Sequence, residues 1–153
     1  MQTHSYNVKE VTSVLERKAA YDLRLRVFVQ EQGIPPELEL DDLDQNALHA
    51  IVTTQGKVIG TGRLITVSPE IGSIGRMAVH SSFRRHGVGS LILNFLQQRA
   101  CENGVQEIVL HAQEDVKDFY STLGYLAEGD PFDEVGIPHL TMRKKLQDHR
   151  PNK

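Results

Sequence analysis

The sequence predicts a mixed α/β fold with a largely antiparallel sheet flanked by helices. Two stretches rich in β-branched residues, Leu48–Thr53 and Lys57–Val67, are separated by Gln55-Gly56, the signature of an antiparallel hairpin. Two other stretches carry apolar residues at helical spacing: Val11, Leu15, Ala19, Leu23 and Val27, then Leu91, Ile92, Phe95, Leu96 and Ala100. Read end to end, the order is strand, helix, three strands, helix, strand, helix, two strands. That order defines the class but leaves the strand order open.

Each element has a local reason. Ser5–Val8 alternates as a short first strand would. A helix is predicted over Thr12–Gln30, ending at Gly33, with Pro35-Pro36 preventing continuation. Glu37, Glu39, Asp41, Asp42 and Asp44 then form an acidic connector. For most of these carboxylates a solvated loop is the plainer reading, and a negative lip that attracts a cationic amine is the sharper one. Their spacing lacks the glycine-centred pattern of a calcium loop. After the hairpin, Ser68-Pro69-Glu70 turns the chain into a strand around Gly72–His80. A long helix runs from Gly87 to Glu102 and stops at Asn103-Gly104. Glu107–Ala112 reads as a buried strand, and Asp115 caps a helix that ends at Leu123-Gly124. Strands at Tyr125–Glu128 and His139–Lys145 flank a loop holding Pro131, Gly136 and Pro138. Residues 1–147 thus read as a single domain and 148–153 as a polar tail.

Composition narrows the function class. Of 153 residues, 39% are hydrophobic and 24% charged, which is ordinary for a soluble protein and excludes a disordered or membrane chain. With no apolar run long enough to span a bilayer and no signal pattern in Met-Gln-Thr-His-Ser, a cytoplasmic location is expected. A net charge of −3 argues against a dedicated nucleic-acid binder. The one cysteine, Cys101, excludes a disulfide framework or a cysteine-rich metal site, and its place within a helix suits packing better than nucleophilic chemistry. No metal is expected.

The segment Gly75–Gly104 carries the chemistry. A helix N-terminus holds roughly half a positive charge and normally attracts acidic residues. Here the turn before the helix reads Arg84-Arg85-His86-Gly87-Val88-Gly89-Ser90, which opposes the dipole unless an anion binds. Gly87 and Gly89 would let backbone N–H groups approach such an anion closely, as in a phosphate or pyrophosphate cradle. The plainer alternative is a solvated basic loop. A Walker-type loop is excluded because no Gly-Lys-Ser/Thr occurs, and a dinucleotide fingerprint because Ile92 stands where its third glycine belongs.

Those seven residues resemble the Arg/Gln-x-x-Gly-x-Gly/Ala acetyl-CoA-binding motif of the GNAT superfamily of N-acetyltransferases, preceded as in that family by a strand at Ile74–Val79. Further on, Gln113–Tyr125 is similar to the family's second cofactor segment, which ends in Tyr-x-x-x-Gly-Phe/Tyr. More narrowly, Val27–Gln32, Leu43-Asp44, Ala47-Leu48-His49 and Gly136-Ile137-Pro138-His139 resemble the small single-domain bacterial ElaA/YjcF-like branch. The resemblance implies the GNAT-type acyl-CoA N-acyltransferase fold, with a twisted sheet, and direct transfer of an acetyl group from acetyl-CoA to a primary amine of a small molecule or peptide. The alternative is a non-catalytic module that senses acyl-CoA. No nucleic acid or membrane partner is implied, and a homodimer is left open.

Site residues follow from the same resemblance. Backbone groups of Met77, Ala78 and Val79 would hold the pantetheine arm and supply an oxyanion donor. Arg84, Arg85, His86, Gly87, Val88, Gly89 and Ser90 would bind the pyrophosphate, with Phe119 and Tyr120 beside the cofactor. Tyr120 matches the family's tyrosine, a proton donor to the leaving thiolate, although Val116, Phe119, Tyr120 and Leu123 also make an ordinary packing face. An ammonium with a pKa of about 10.4 must lose a proton before it attacks, so a base is required. Glu31, His111 and His139 are its candidates, each histidine equally readable as a hydrogen-bonded structural residue, while His49 and His80 are read as structural. Acceptor specificity is expected from the segments Gln32–Asp44 and Gly129–Pro138.

Overall fold

A computed structural model describes residues 5–146, so the expected tail at 148–153 lies outside the described residues. Seven strands form one sheet: β1 (Asn7–Glu10), β2 (Leu48–Thr54), β3 (Lys57–Ser68), β4 (Ile71–Val79), β5 (Glu107–Gln113), β6 (Leu126–Glu134) and β7 (Ile137–Lys145). They lie in the order β1-β2-β3-β4-β5-β7-β6. All neighbours pair antiparallel except β4 and β5. The helices are α1 (Val14–Arg24), α2 (Pro36–Glu39), α3 (Val88–Glu102) and α4 (Lys117–Thr122).

The predicted β2–β3 hairpin forms with Thr54 opposite Lys57. Its two loop residues, Gln55 (φ 51°) and Gly56 (φ 77°), both take the positive φ that matches strand twist. The chain between the last two strands differs from expectation. β6 runs through Pro131 to Glu134 and turns at Val135 (φ 47°) and Gly136 (φ 78°), so the segment expected as a loop is the tip of a hairpin. Pro131 is tolerated there because β6 is an edge strand and its register shifts between Glu128 and Phe132.

The first helix also departs from the predicted span. Ser13 caps it by accepting from the Glu16 N–H, but after Arg24 the chain widens into a π-helical turn, Leu25–Glu31. The wider turn lets Val27 and Phe28, neighbours in the chain, both be buried. Leu23, Val27, Phe28 and Ile34 pack on one face of the sheet around Ala78. On the other face α3 packs through Val88, Ile92, Leu93 and Leu96, and Phe119, Tyr120 and Leu123 of the α4 segment join the same core. The α3 helix lies close because Gly60 and Gly62 of β3 carry no side chain. A Cβ at Gly62 would stand 2.7 Å from Ile92 Cγ2, and one at Gly60 would stand 2.7 Å from Val88 Cγ1.

The acidic connector is the largest correction. Glu39 and Asp44 are buried, not solvated, and they do not form a free negative lip. Arg24, itself buried, donates from Nε to Glu39 Oε1 (2.7 Å) and from Nη1 to Asp44 Oδ1 (2.7 Å). Arg63 of β3 donates to Asp41 (2.7 Å) and Asp44 (2.8 Å), and Arg76 of β4 donates to the Glu39 carbonyl (3.0 Å). Three arginines from α1, β3 and β4 therefore clamp the connector down. Arg76 sits at a bulge in β4, with φ 52°, where the β3 register shifts between Thr61 and Arg63.

Candidate functional site

The β4 bulge opens the site. Ile74 and Met77, three residues apart, both pack on the α3 side, which regular two-residue alternation would not allow. Past the bulge β4 leaves its parallel neighbour: β4 and β5 pair only at Ile71–Ser73 with Glu107–Val109. The backbone edges of Gly75–Val79 and Leu110–Gln113 thus border a wedge instead of a ladder. A cleft of about 1110 Å³ occupies it, lined by Met77, Ala78, Val79, Arg84, Arg85, Gly87, Val88, Gly89, Ser90, Phe119 and Tyr120, with His111 and His139 further along. The structure therefore brings most of the sequence-predicted residues to one cavity.

At one end lies the start of α3. Gly87 (φ 81°) precedes it without a side-chain cap, and no acidic residue occupies the first turn. The N–H groups of Val88, Gly89 and Ser90 precede the first intrahelical donor, which leaves them for a ligand. Gly89 faces Phe119; a Cβ there would meet Phe119 Cζ at 3.1 Å. The two arginines play unlike parts. Arg84 donates to Glu31 Oε1 (2.6 Å) and to the Val79 carbonyl (2.9 Å), so its charge already has a partner. Arg85 makes no ion pair among the described residues and takes a left-handed φ of 66°, a conformation that stores strain in a non-glycine residue. The basic turn thus carries one compensated and one uncompensated guanidinium, where the sequence suggested two of the latter.

Tyr120 lines the cleft. Its ring packs edge-on against Phe119 and Tyr125, and its hydroxyl has no hydrogen-bond partner among the described residues. Burial pushes the phenol up to about 12, so it stays a protonated donor throughout the physiological range.

The remaining candidates separate. Glu31 and His86 are not among the residues lining the cleft. Glu31 is held by Arg84, and His86 Nδ1 shares a 3.1 Å hydrogen bond with Tyr6 Oη. His111 and His139 do line it, on neighbouring strands, and each projects on the α1 side of the sheet opposite the buried Leu110, Ala112, Leu140 and Met142. His139 is buried and donates from Nδ1 to the Ile137 carbonyl (2.7 Å), which leaves Nε2 as the unprotonated nitrogen of its neutral form. His111 donates from Nδ1 to Glu134 Oε1 (2.9 Å). His49 donates to the Asp44 carbonyl (2.9 Å) and His80 accepts from the Ser82 N–H (3.1 Å), both structural uses as expected.

Residues 14–146 match the acetyltransferase (GNAT) domain family. The chain belongs to the GNAT acetyltransferases. It is an acyltransferase, and the family's acyl-CoA-dependent acetyl transfer accounts for a wedge between two parallel strands ending at an uncapped helix. Among its GNAT relatives, the Bacillus subtilis (strain 168) protein YjcF, an uncharacterised N-acetyltransferase, is 37% identical over 129 residues, covering 83% of this chain and 91% of that one. An acyl-CoA N-acyltransferase from Pseudomonas aeruginosa is 27% identical with a TM-score of 0.80, covering 93% and 99% of the two chains. Escherichia coli ElaA shares the fold at a TM-score of 0.79 and 23% identity, with the same coverage. The resemblance to the ElaA/YjcF-like branch and the mixed α/β GNAT fold hold. Among the described residues no helix is long and apolar enough to cross a membrane.

Glu134 falls in Gly129–Pro138, the segment expected to set acceptor specificity, but the sequence did not single it out as a site residue of this GNAT domain. It lay in a segment taken for a loop, and the two-residue turn Val135-Gly136 was the signal that could have moved it to a hairpin.

Proposed function

We propose that the protein transfers the acetyl group of acetyl-CoA directly to a primary amine of a small molecule or peptide, within a ternary complex. The observation that carries this reading is the convergence on one cleft of an uncapped α3 N-terminus, a β4 edge that leaves β5, and a Tyr120 hydroxyl with no hydrogen-bond partner among the described residues. The donor's pyrophosphate would rest on the N–H groups of Val88–Ser90 with Arg85 beside it. Backbone groups of Met77–Val79 would hold the pantetheine arm and supply an oxyanion donor. Arg84 would align this edge through its bond to the Val79 carbonyl.

Tyr120 is the donor to the departing sulfur. A phenol near 12 is a weaker acid than a thiol, whose pKa is about 8.5, so Tyr120 serves first as a hydrogen-bond donor that stabilises the thiolate. His139, with Nε2 open and Nδ1 tied down, is favoured over Glu31 as the base because Glu31 is spent on Arg84. The chemistry remains direct: Cys101 lies within α3 and does not line the cleft, which leaves a covalent acetyl-cysteine route without a nucleophile in place.

The test is release of free CoA thiol when the protein and acetyl-CoA are mixed with a panel of polyamines, amino sugars and peptides. Amine-dependent release supports the reading. Saturable CoA binding with no release for any amine would favour an acyl-CoA sensor instead.

A further inference from the structure

Glu134 reaches from the end of β6 to the two cleft histidines. Its Oε1 accepts from His111 Nδ1 at 2.9 Å, while its Oε2 lies 3.9 Å from His139 Nε2. The second distance is too long for a hydrogen bond. With His139 Nδ1–H committed to the Ile137 carbonyl, two acceptors face each other across this gap, a carboxylate oxygen and an imidazole lone pair. With His139 neutral, such a pair suits a group that donates protons to both sides, as an ammonium does. Phe132 braces the arrangement, stacked on His139 (27° between planes) and edge-on to His111. All three polar side chains line the same cleft as Met77–Val79. In the acidic connector, Glu39, Asp41 and Asp44 are already paired with Arg24, Arg63 and Arg76.

We propose that Glu134 is the docking point for the acceptor's ammonium group and that His139 Nε2, across the gap, takes its proton. The inference rests on the transferase reading above. The acceptor class it specifies is an amine that arrives as a cation. The balance is simple: R–NH₃⁺ passes one proton to His139 and becomes R–NH₂, its nitrogen forms the C–N bond, and the C–S bond breaks. The second nitrogen proton leaves with the thiolate as CoA–SH, and His139 returns its proton to solvent. Glu134 keeps the ammonium in reach before transfer and stabilises imidazolium after it.

Binding and turnover are read separately, so that this proposal and the transferase reading can fail independently. The probe is n-butylammonium chloride, titrated into the CoA-saturated protein while the imidazole NMR signals of His111 and His139 are followed. Saturable shifts in the wild type that vanish in Glu134→Gln are expected. No saturable shift in the wild type, or an equal shift in the variant, overturns the proposal whatever the turnover. Glu134 has a 40% exposed side chain, so the variant should keep its fold. For turnover, n-butylamine is compared with 2,2,2-trifluoroethylamine, which is largely uncharged at neutral pH. Glu134→Gln should lower kcat/KM for n-butylamine by about tenfold or more relative to the fluorinated amine, the loss expected for a charge-assisted hydrogen bond, with the KM for acetyl-CoA unchanged. Equal losses for both amines would mean that Glu134 merely supports the hairpin.

Discussion

Replacing Arg24 with alanine probes the clamp that shapes the cleft. The guanidinium is 1% exposed and makes four contacts: Nε to Glu39 Oε1 (2.7 Å), Nη1 to Asp44 Oδ1 (2.7 Å), and Nη2 to the Glu39 carbonyl (2.9 Å) and Asp44 Oδ2 (3.2 Å). Without it Asp44 keeps Arg63 at 2.8 Å, but Glu39, 2% exposed, keeps only Arg76 at 3.4 Å. A buried carboxylate is thus left nearly uncompensated, which costs about 3 to 5 kcal/mol. For a chain of this size that lowers Tm by roughly 10 °C. Urea denaturation of wild type and variant at pH 7 and pH 5 is the assay. Burial already holds Glu39 above its ordinary value despite Arg24 and Arg76, and losing Arg24 moves it further up. A raised acid pKa means that the folded state binds more protons than the unfolded state, so the variant regains stability as pH falls from 7 to 5. A cost below about 1 kcal/mol at pH 7, the worth of an ordinary surface pair, would refute the reasoning. So would a deficit that does not shrink at pH 5.

Tyr120→Phe should leave stability and CoA affinity intact, since the hydroxyl has no hydrogen-bond partner among the described residues, and lower kcat by about a hundredfold or more as measured by thiol release. Arg85→Glu should weaken CoA binding in a calorimetric titration more than Arg84→Gln does, because Arg84 is already paired with Glu31. Gly62→Ala should destabilise by about 1 to 3 kcal/mol by forcing α3 off β3, with a lower urea midpoint and an unchanged slope. Acid should lower stability in two pH windows. Burial holds His49 below its ordinary value, so its contribution is complete above about pH 6.5 and is lost as pH falls below that. Hydrogen bonds from Arg63 hold Asp41 low, and those from Arg24, the Asp41 N–H and Arg63 outweigh burial at Asp44, so their contribution persists until pH drops below about 4. Thermal midpoints between pH 8 and pH 3 would show both.

The sequence was most informative where the chain obeys a local rule. Period-two runs, 3.6-residue stripes and the Gln55-Gly56 turn act through the backbone of a few consecutive residues, and the class and most elements follow from them. The basic turn was also readable, because a helix N-terminus exerts its field on its own first residues. It misled over Arg84, whose partner, Glu31, lies 53 residues away, and over His86, which does not line the cleft.

What the tertiary structure alone decided are the pairings between distant segments. The acidic connector read as solvated because nothing nearby in the chain opposes its charge; Arg24, Arg63 and Arg76 reach it only after α1, β3 and β4 are assembled. The parting of β4 from β5 depends on a bulge that has meaning only against β3. Glu134 meets His111 and His139 because the edge hairpin folds back beside β5. A charge acts through space over a few ångströms, whereas sequence orders residues along the chain. Motifs confined to one turn could therefore be read directly, and constellations drawn from several strands had to wait for the fold.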